Sequence, residues 1–240
     1  MALIPKPLSK FNNESPRQKR ERTQKIITVL KKKFPHAKIA LHFLNPWELL
    51  VAVILSAQCT DKKVNEVTPA LFKKYKTLDD YVHADKKEFE AMIHATGFYH
   101  AKTKNILATA KLIKEKFGGC VPRTMQEILT LKGVARKTAN VVLGNAYGVV
   151  EGIAVDTHVL RFSQRLGLSV FQQPETIEKD LIMLVPKKAW LKSTYMIIEH
   201  GRAICTAKDP RCDLCPLQNM CPSAFQFPRF ERIDGKEKNQ

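Results

Sequence analysis

Four of the six cysteines lie in one short stretch near the C-terminus, which makes this stretch the first candidate for chemistry. They follow the spacing C-x6-C-x2-C-x5-C and are Cys205, Cys212, Cys215 and Cys221. Such clustering indicates a metal site, because a framework of disulfides would spread its pairs along the domain. Zinc sites often use two C-x-x-C pairs, whereas only one is present here. The spacing alone leaves zinc and an iron–sulfur cluster both open.

A glycine turn between two helical segments is the second candidate site. The pattern from Thr124 to Glu127 is a capping box, which predicts a short helix that runs through Ile128 to Leu131. The next four residues, 132–135, predict a tight turn around a glycine, and a helix with a basic first turn follows. The free backbone N–H groups at the start of that helix would attract a phosphate. An ordinary helical connection is the alternative.

The segments that carry these residues are predicted to be helical. Apolar residues recur at helical spacing, as in Ile106, Ala110 and Ile113, and no convincing alternating strand appears. Glycines and prolines separate helices of about three turns. Asp156 fits the N-cap of one of these helices, over 157–166. The pattern predicts an all-α protein.

The composition predicts a globular protein that binds a polyanion. Lys and Arg number 40 against 23 Asp and Glu, a formal net charge of +17. A hydrophobic content of 44% excludes wholesale disorder. The longest apolar run, Leu49 to Leu55, is too short to span a bilayer, and no apolar leader follows the first lysines. We expect a soluble, cytoplasmic protein that is associated with the nucleoid and not with membranes.

Taken together, the glycine turn, the downstream aspartate and the cysteine pattern resemble the endonuclease III family of DNA glycosylases. The resemblance covers roughly residues 20–224. Its order and spacing are specific, and it is carried by Leu49–Asp61, Leu131–Leu143, Val155–His158 and the four cysteines. It implies a two-lobed helix-hairpin-helix glycosylase fold, in which a six-helix barrel joins an iron–sulfur cluster domain.

The resemblance also implies a division of the chain. The expected parts are a disordered basic tail 1–15, an N-terminal helix 16–37 that packs with the cluster domain, a six-helix barrel with the helix-hairpin-helix 38–149, the cluster domain 150–224 and a polar tail 225–240. The active cleft is expected between the two lobes. Each lobe would then contribute one catalytic residue.

By the same resemblance, Lys137 is the catalytic lysine and Asp156 the catalytic aspartate. The amine attacks C1′ of a nucleotide rotated out of the duplex and forms a Schiff base, from which β-elimination cuts the strand. Nearby Arg136, Lys132 and partial burial are expected to lower the pKa of Lys137. The carboxylate of Asp156 stabilises positive charge on the sugar, a role that is compatible with its capping a helix.

The resemblance places further residues on DNA and on the metal. A glutamine and an apolar wedge open the duplex in the family, and they fall on Gln58 and Phe98. From the residues alone, Gln58 is a surface residue and Phe98 a packing aromatic. Phosphate contacts are expected in the hairpin and in the loop after the first cysteine, at Lys132, Gly133, Ala135, Arg136, Lys208 and Arg211. The four cysteines are implied to hold a [4Fe-4S] cluster with a structural and electrostatic role.

One departure from the family lies in the hairpin. Relatives commonly carry Leu-Pro-Gly-Val-Gly, where this chain has Leu131-Lys-Gly-Val-Ala135. The methyl group of Ala135 lies near the expected phosphate, and Lys132 adds attraction for it. The sequence therefore predicts a working phosphate clamp of altered fit.

The expected function is that of a bifunctional DNA glycosylase and apurinic/apyrimidinic (AP) lyase of base excision repair. It would excise oxidised pyrimidines from double-stranded DNA and cleave 3′ to abasic sites by β-elimination, acting as a monomer. One alternative is a glycosylase of the same fold for a mismatched thymine or adenine. Another is a basic DNA-binding module that is stapled by metal and has no catalytic activity.

Overall fold

The computed structural model describes residue 11 and residues 13–228. Most of the expected tails, 1–15 and 225–240, therefore lies outside the described residues. Over the described part, every regular element is helical, which confirms the predicted all-α fold. None of these helices is both long and apolar enough to cross a bilayer.

Eleven α-helices are found in the part of the chain that the structure describes. They are α1 Pro16–Lys33, α2 Pro46–Leu55, α3 Asp61–Lys74, α4 Leu78–Val82, α5 Lys86–Ile93, α6 Tyr99–Lys116, α7 Met125–Ile128, α8 Arg136–Tyr147, α9 Thr157–Arg165, α10 Pro174–Leu184 and α11 Trp190–Ala203. Short 3₁₀ turns are found at His94–Thr96, Lys187–Ala189, Cys212–Leu214 and Gln218–Met220.

Polar caps explain where several helices begin. Ser15 and Gln18 form a reciprocal capping box at α1, and Pro16 occupies the first helical position, where no backbone N–H is needed. The side chain of Asn45 accepts the backbone N–H of Glu48 at α2. A cap of this kind stabilises a helix by about 1 kcal/mol. These signals are encoded within a few residues, so local sequence decides these boundaries.

The described residues divide into two compact units. Residues 39–151 form one of them. The other consists of the described residues up to Lys38 together with those from Gly152 onwards.

In the 39–151 unit, α2 is the central helix. All seven residues from Leu49 to Leu55 are buried, so the apolar run that is too short for a membrane forms the core of this unit. Helix α2 packs against α3, α6 and α8. An apolar surface on every side of a helix is what such complete burial requires. The packing of α8 on α2 fixes the helix that carries Lys137.

In the other unit, α1 packs against α10 and α11, and α9 packs against the same two helices. Ile26 and Leu30 of α1 are fully buried in a core shared with Val159 and Phe162 of α9. The N-terminal helix is therefore part of this core. The chain segment after α11 carries the four clustered cysteines.

Candidate active site and metal centre

The predicted hairpin is formed by α7, a glycine turn and α8. Thr124 caps α7 as predicted, since its side chain accepts the backbone N–H of Glu127 at 3.3 Å. The helix ends at Ile128, earlier than predicted, because hydrogen bonds of the turn type take over. The backbone N–H of Leu131 donates to the carbonyl of Ile128 at 3.2 Å. The chain reaches the glycine turn through these tighter turns and not through continuous α-helix.

Gly133 is required by its backbone angle and by a neighbouring side chain. Its φ is +76°, a left-handed conformation that residues with a Cβ rarely adopt. A Cβ at this position would lie 2.8 Å from Nδ2 and 3.0 Å from Cβ of Asn105 on α6. The hydroxyl of Thr109, also on α6, donates to the carbonyl of Lys132 at 3.0 Å. Helix α6 therefore holds the turn in place.

Lys137 lies in the first turn of α8. Ala135 is the N-cap residue of this helix and provides no side-chain cap. The side chains of Lys132, Ala135 and Lys137 are exposed, and that of Arg136 is half-buried. The expected partial burial of Lys137 is wrong, because the buried face of α8 starts at Ala139. The positive end of the helix dipole and the exposed ammonium groups suit this end of α8 to an anion.

Asp156 caps α9, as predicted. One carboxylate oxygen accepts the backbone N–H of His158 at 2.9 Å and that of Val159 at 2.8 Å. The helix ends at Arg165, one residue before the predicted end. Asp156 is half-buried and belongs to the unit that contains α1, whereas Lys137 belongs to the 39–151 unit. The two cap bonds hold the carboxylate in one orientation.

Gln58 and Phe98 share an unusual backbone conformation in the 39–151 unit. Gln58 follows α2 with a φ of +52°, and Phe98 precedes α6 with a φ of +50°. Such left-handed angles cost a residue with a Cβ roughly 1–2 kcal/mol. Gln58 is exposed, and the ring of Phe98 is not packed into the core, since the residue is 63% exposed. Backbone strain of this kind is concentrated at functional sites.

The four clustered cysteines line one pocket together with apolar side chains, which include Phe162, Leu166, Ile204, Leu217 and Ala224. None of the six cysteines is paired in a disulfide. Burial raises the pKa of Cys215 to about 11 and the pKa of Cys221 to about 12. Metal binding must therefore displace protons from these thiols. Within the described residues, no three His, Cys, Asp or Glu side chains are grouped as they would be around a single metal ion.

Two side chains that the sequence analysis did not identify, Arg165 and His200, each lie beside one cysteine sulfur. Arg165 donates from Nη1 to Sγ of Cys205 at 3.1 Å and to the carbonyl of Thr206 at 2.7 Å. Nε2 of His200 lies 3.3 Å from Sγ of Cys215, and burial lowers the pKa of His200 to about 4. Donors to thiolate sulfur are the surroundings that an iron–sulfur cluster needs. Four thiols around one pocket with such donors fit a cluster.

The loop between the first two cysteines presents its two basic residues to solvent. Lys208 and Arg211 are both exposed. The hydroxyl of Thr206 donates to the carbonyl of Asp209 at 2.6 Å, and the backbone N–H of Arg211 donates to the carbonyl of Ile204 at 2.9 Å. These two bonds give the loop a defined shape. Among the described residues, both charged side chains are accessible to solvent.

The hairpin and the four clustered cysteines each lie in a segment that matches a known protein family. Residues 51–187 match the family model of the HhH-GPD superfamily base excision DNA repair proteins. Residues 205–221 match the iron-sulfur binding domain of endonuclease III, and this segment begins and ends on a cysteine. The superfamily match covers more than half of the chain.

Comparison with individual proteins shows which family of this superfamily the chain resembles. The chain is 50% identical to endonuclease III of Synechocystis sp. over 206 residues, which are 86% of this chain and 94% of that protein. It is 48% identical to endonuclease III of Bacillus subtilis over 189 residues, 78% of this chain and 86% of the relative. A solved structure of a trapped endonuclease III–DNA covalent intermediate matches with a TM-score of 0.83 and 41% identity, covering 86% of this chain and 97% of the other. The chain belongs to the endonuclease III family.

Membership of the endonuclease III family confirms several predictions. The protein is a DNA glycosylase and AP lyase of base excision repair, and its cofactor is a [4Fe-4S] cluster. The predicted helix-hairpin-helix glycosylase fold is confirmed as well.

Proposed function

We propose that this protein removes oxidised pyrimidines from double-stranded DNA and cuts the strand through a Schiff base on Lys137. The observation that carries the proposal is the exposed position of Lys137 in the first turn of α8, beside the glycine turn. The covalent intermediate trapped between a related endonuclease III and DNA supports a nucleophile of this kind. Among side chains in the middle of a chain, a lysine amine is the one that forms a Schiff base with a sugar.

The proposed reaction has four steps. The neutral amine of Lys137 attacks C1′ of the extruded nucleotide, and the electron pair of the glycosidic bond leaves with the base, which takes up a proton. The alkylated amine loses a proton, its lone pair forms a C=N bond, and O4′ leaves with the electron pair of the C1′–O4′ bond and takes up a proton. This opens the sugar ring and gives an iminium ion that joins Nζ to C1′. Loss of a proton from C2′ then expels the 3′ phosphate, and water finally hydrolyses the Schiff base and frees Lys137.

Asp156 is proposed to stabilise the positive charge that develops on the sugar as the base leaves. Its carboxylate is held by two backbone N–H groups at the start of α9, so it needs little reorganisation when the charge appears. Capping and catalysis are therefore served by one orientation of the side chain.

Gln58 and Phe98 are proposed to fill the gap that the extruded nucleotide leaves. A glutamine amide can hydrogen-bond to a base edge, and an exposed aromatic ring can stack between base pairs. Both side chains are exposed, and both backbones are held in left-handed conformations. Without such a filling, the nucleotide would return to the stack.

The phosphate contacts are proposed to come from two basic loops. The first is the hairpin turn, with Lys132, Gly133, Ala135 and Arg136. The second is the loop with Lys208 and Arg211, where both side chains are exposed. Contacts of this kind position the protein on DNA without reading its sequence.

The four clustered cysteines are proposed as the ligands of the [4Fe-4S] cluster. They line one pocket, and Arg165 and His200 lie within hydrogen-bonding distance of two of their sulfurs. When bound, the cluster supplies a structural link and a local charge.

The proposed substrates are duplexes with damaged pyrimidines or abasic sites. We further propose that the protein is a monomer that works in the cytoplasm on nucleoid DNA.

Borohydride trapping on a duplex with one abasic site tests the role of Lys137. The wild-type protein should form a covalent adduct, because borohydride reduces a Schiff base to a stable amine. Lys137→Gln should form none. Lys111→Gln removes an equal charge from an exposed position of α6 and should form as much adduct as the wild type. Adduct formation by Lys137→Gln at the wild-type level would refute the proposed nucleophile.

A further inference from the structure

Lys102 is a buried ammonium group that the proposed reaction does not use. It lies on α6 and is only 4% exposed. Its Nζ donates to the backbone carbonyl of Leu55 at 2.7 Å and to that of Thr96 at 2.8 Å. A lysine is rarely buried to this degree unless its hydrogen bonds are satisfied. The two bonds therefore offset much of the free-energy cost of burying the charge.

The two carbonyls belong to the two loops that carry the duplex-opening residues. Leu55 is the last residue of α2 and precedes Gln58 by three positions. Thr96 ends the 3₁₀ turn before α6 and precedes Phe98 by two positions. One ammonium group thus links the backbone segments at which both loops begin. Both loops, and Lys102 itself, lie within the 39–151 unit.

Electrostatics favour a charged group at this point, although burial opposes it. Burial lowers the pKa of Lys102. The carbonyl of Leu55 lies at the C-terminal end of α2, where the helix dipole is negative. Hydrogen bonds from a charged donor are roughly twice as strong as those between neutral groups. The ammonium can therefore hold two backbone segments more firmly than a neutral side chain could.

We propose that Lys102 is a positioning residue that holds Gln58 and Phe98 in the conformation that enters DNA. The inference rests on the proposed function of these two residues. A left-handed backbone relaxes unless its surroundings determine it. By fixing the carbonyls of Leu55 and Thr96, Lys102 prevents each loop from relaxing independently of the other.

The first experiment compares a step that needs duplex opening with one that does not. Lys102→Met keeps the length and burial of the side chain but removes both donors, and Lys104→Met removes an exposed charge from the same helix as a control. We expect Lys102→Met to slow single-turnover cleavage of a duplex with one thymine glycol by about ten- to a hundredfold, as misplaced loops would. Borohydride trapping on a single-stranded abasic oligonucleotide should stay at the wild-type level. Lys104→Met should match the wild type in both assays.

A merely structural Lys102 would give a different pattern. If Lys102→Met folds and both reactions are slowed equally, the residue has only a structural role and the inference is overturned, as it would be by an unchanged duplex rate. If Lys102→Met does not fold, Lys102→Arg carries the test, because it keeps the charge and changes the spacing between the two carbonyls. A loss confined to the duplex substrate is expected for Lys102→Arg, and an equal loss on both substrates would again overturn the inference.

A double-mutant cycle separates this inference from the function on which it rests. Gln58→Ala and Phe98→Ala should each slow the duplex reaction, and Lys102→Met combined with Phe98→Ala should slow it by less than the product of the single effects. If neither alanine variant slows the reaction, the duplex-opening role fails and the inference fails with it. If both do and the effects of Lys102→Met and Phe98→Ala multiply fully, only the role of Lys102 is refuted.

Discussion

The substitution Gly133→Ala tests how the hairpin turn is held. An alanine at a φ of +76° carries a strain of roughly 1–2 kcal/mol. Its methyl group would also lie 2.8 Å from Nδ2 and 3.0 Å from Cβ of Asn105, so α6 or the turn must move. Overpacking of this kind typically costs about 1–3 kcal/mol. The free energy of unfolding should therefore fall by about 2–5 kcal/mol.

Gly148→Ala is the matched control at the other end of α8. Gly148 has a φ of +67°, and a Cβ there would meet nothing within 4 Å. Only the backbone strain of roughly 1–2 kcal/mol applies to this variant. Urea unfolding followed by circular dichroism measures both. The difference between the two variants gives the contribution of the contact with Asn105.

Asn105→Ala in the Gly133→Ala background refines the test. It removes the contacts of Nδ2 and Cγ but keeps the Cβ contact at 3.0 Å, so the lost stability should return only in part. Binding to a duplex with an abasic-site analogue should weaken in Gly133→Ala and stay unchanged in Gly148→Ala. If Gly133→Ala destabilises the protein no more than Gly148→Ala does, the argument from Asn105 is wrong.

Two further outcomes are expected. Asp156→Asn should keep the cap of α9 and the unfolding free energy but lose glycosylase activity, whereas Asp156→Ala should also lose about 1 kcal/mol of stability. Full activity of Asp156→Asn in a single-turnover assay would show that Asp156 only caps the helix. Replacing Lys208 and Arg211 together with Gln should reduce the slope of log affinity against log salt by about 1.8, because each phosphate contact contributes about 0.9. Fluorescence anisotropy over a salt series measures this slope, and an unchanged slope would show that the two side chains do not contact phosphate.

Helix α6 connects features that lie far apart in the sequence. Lys102 bonds to the two loops that carry Gln58 and Phe98, Thr109 bonds to the hairpin turn, and Asn105 occupies the space that a Cβ of residue 133 would need. These contacts come from one side of one helix at spacings of three and four residues. The loops that carry Gln58 and Phe98 and the hairpin turn are thus attached to the same helix.

Local features of this protein could be read from the sequence alone. The cap at Asp156, the turn at Gly133 and the cysteine spacing each depend on a few neighbouring residues, so their patterns indicate them directly. The helical character of the chain follows likewise from apolar spacing. The resemblance to a family then assigned chemistry to Lys137, which no local pattern distinguishes from other basic residues in a turn.

The tertiary structure alone decided which distant residues support these features. The exposure of Lys137 depends on which face of α8 packs into the core, and sequence reasoning expected partial burial. The position of Asn105 beside Gly133 and the bonds of Lys102 to Leu55 and Thr96 bring separate segments together. A repeat of apolar residues specifies which face of a helix is buried, but the partner of a buried polar group depends on how the helices pack together.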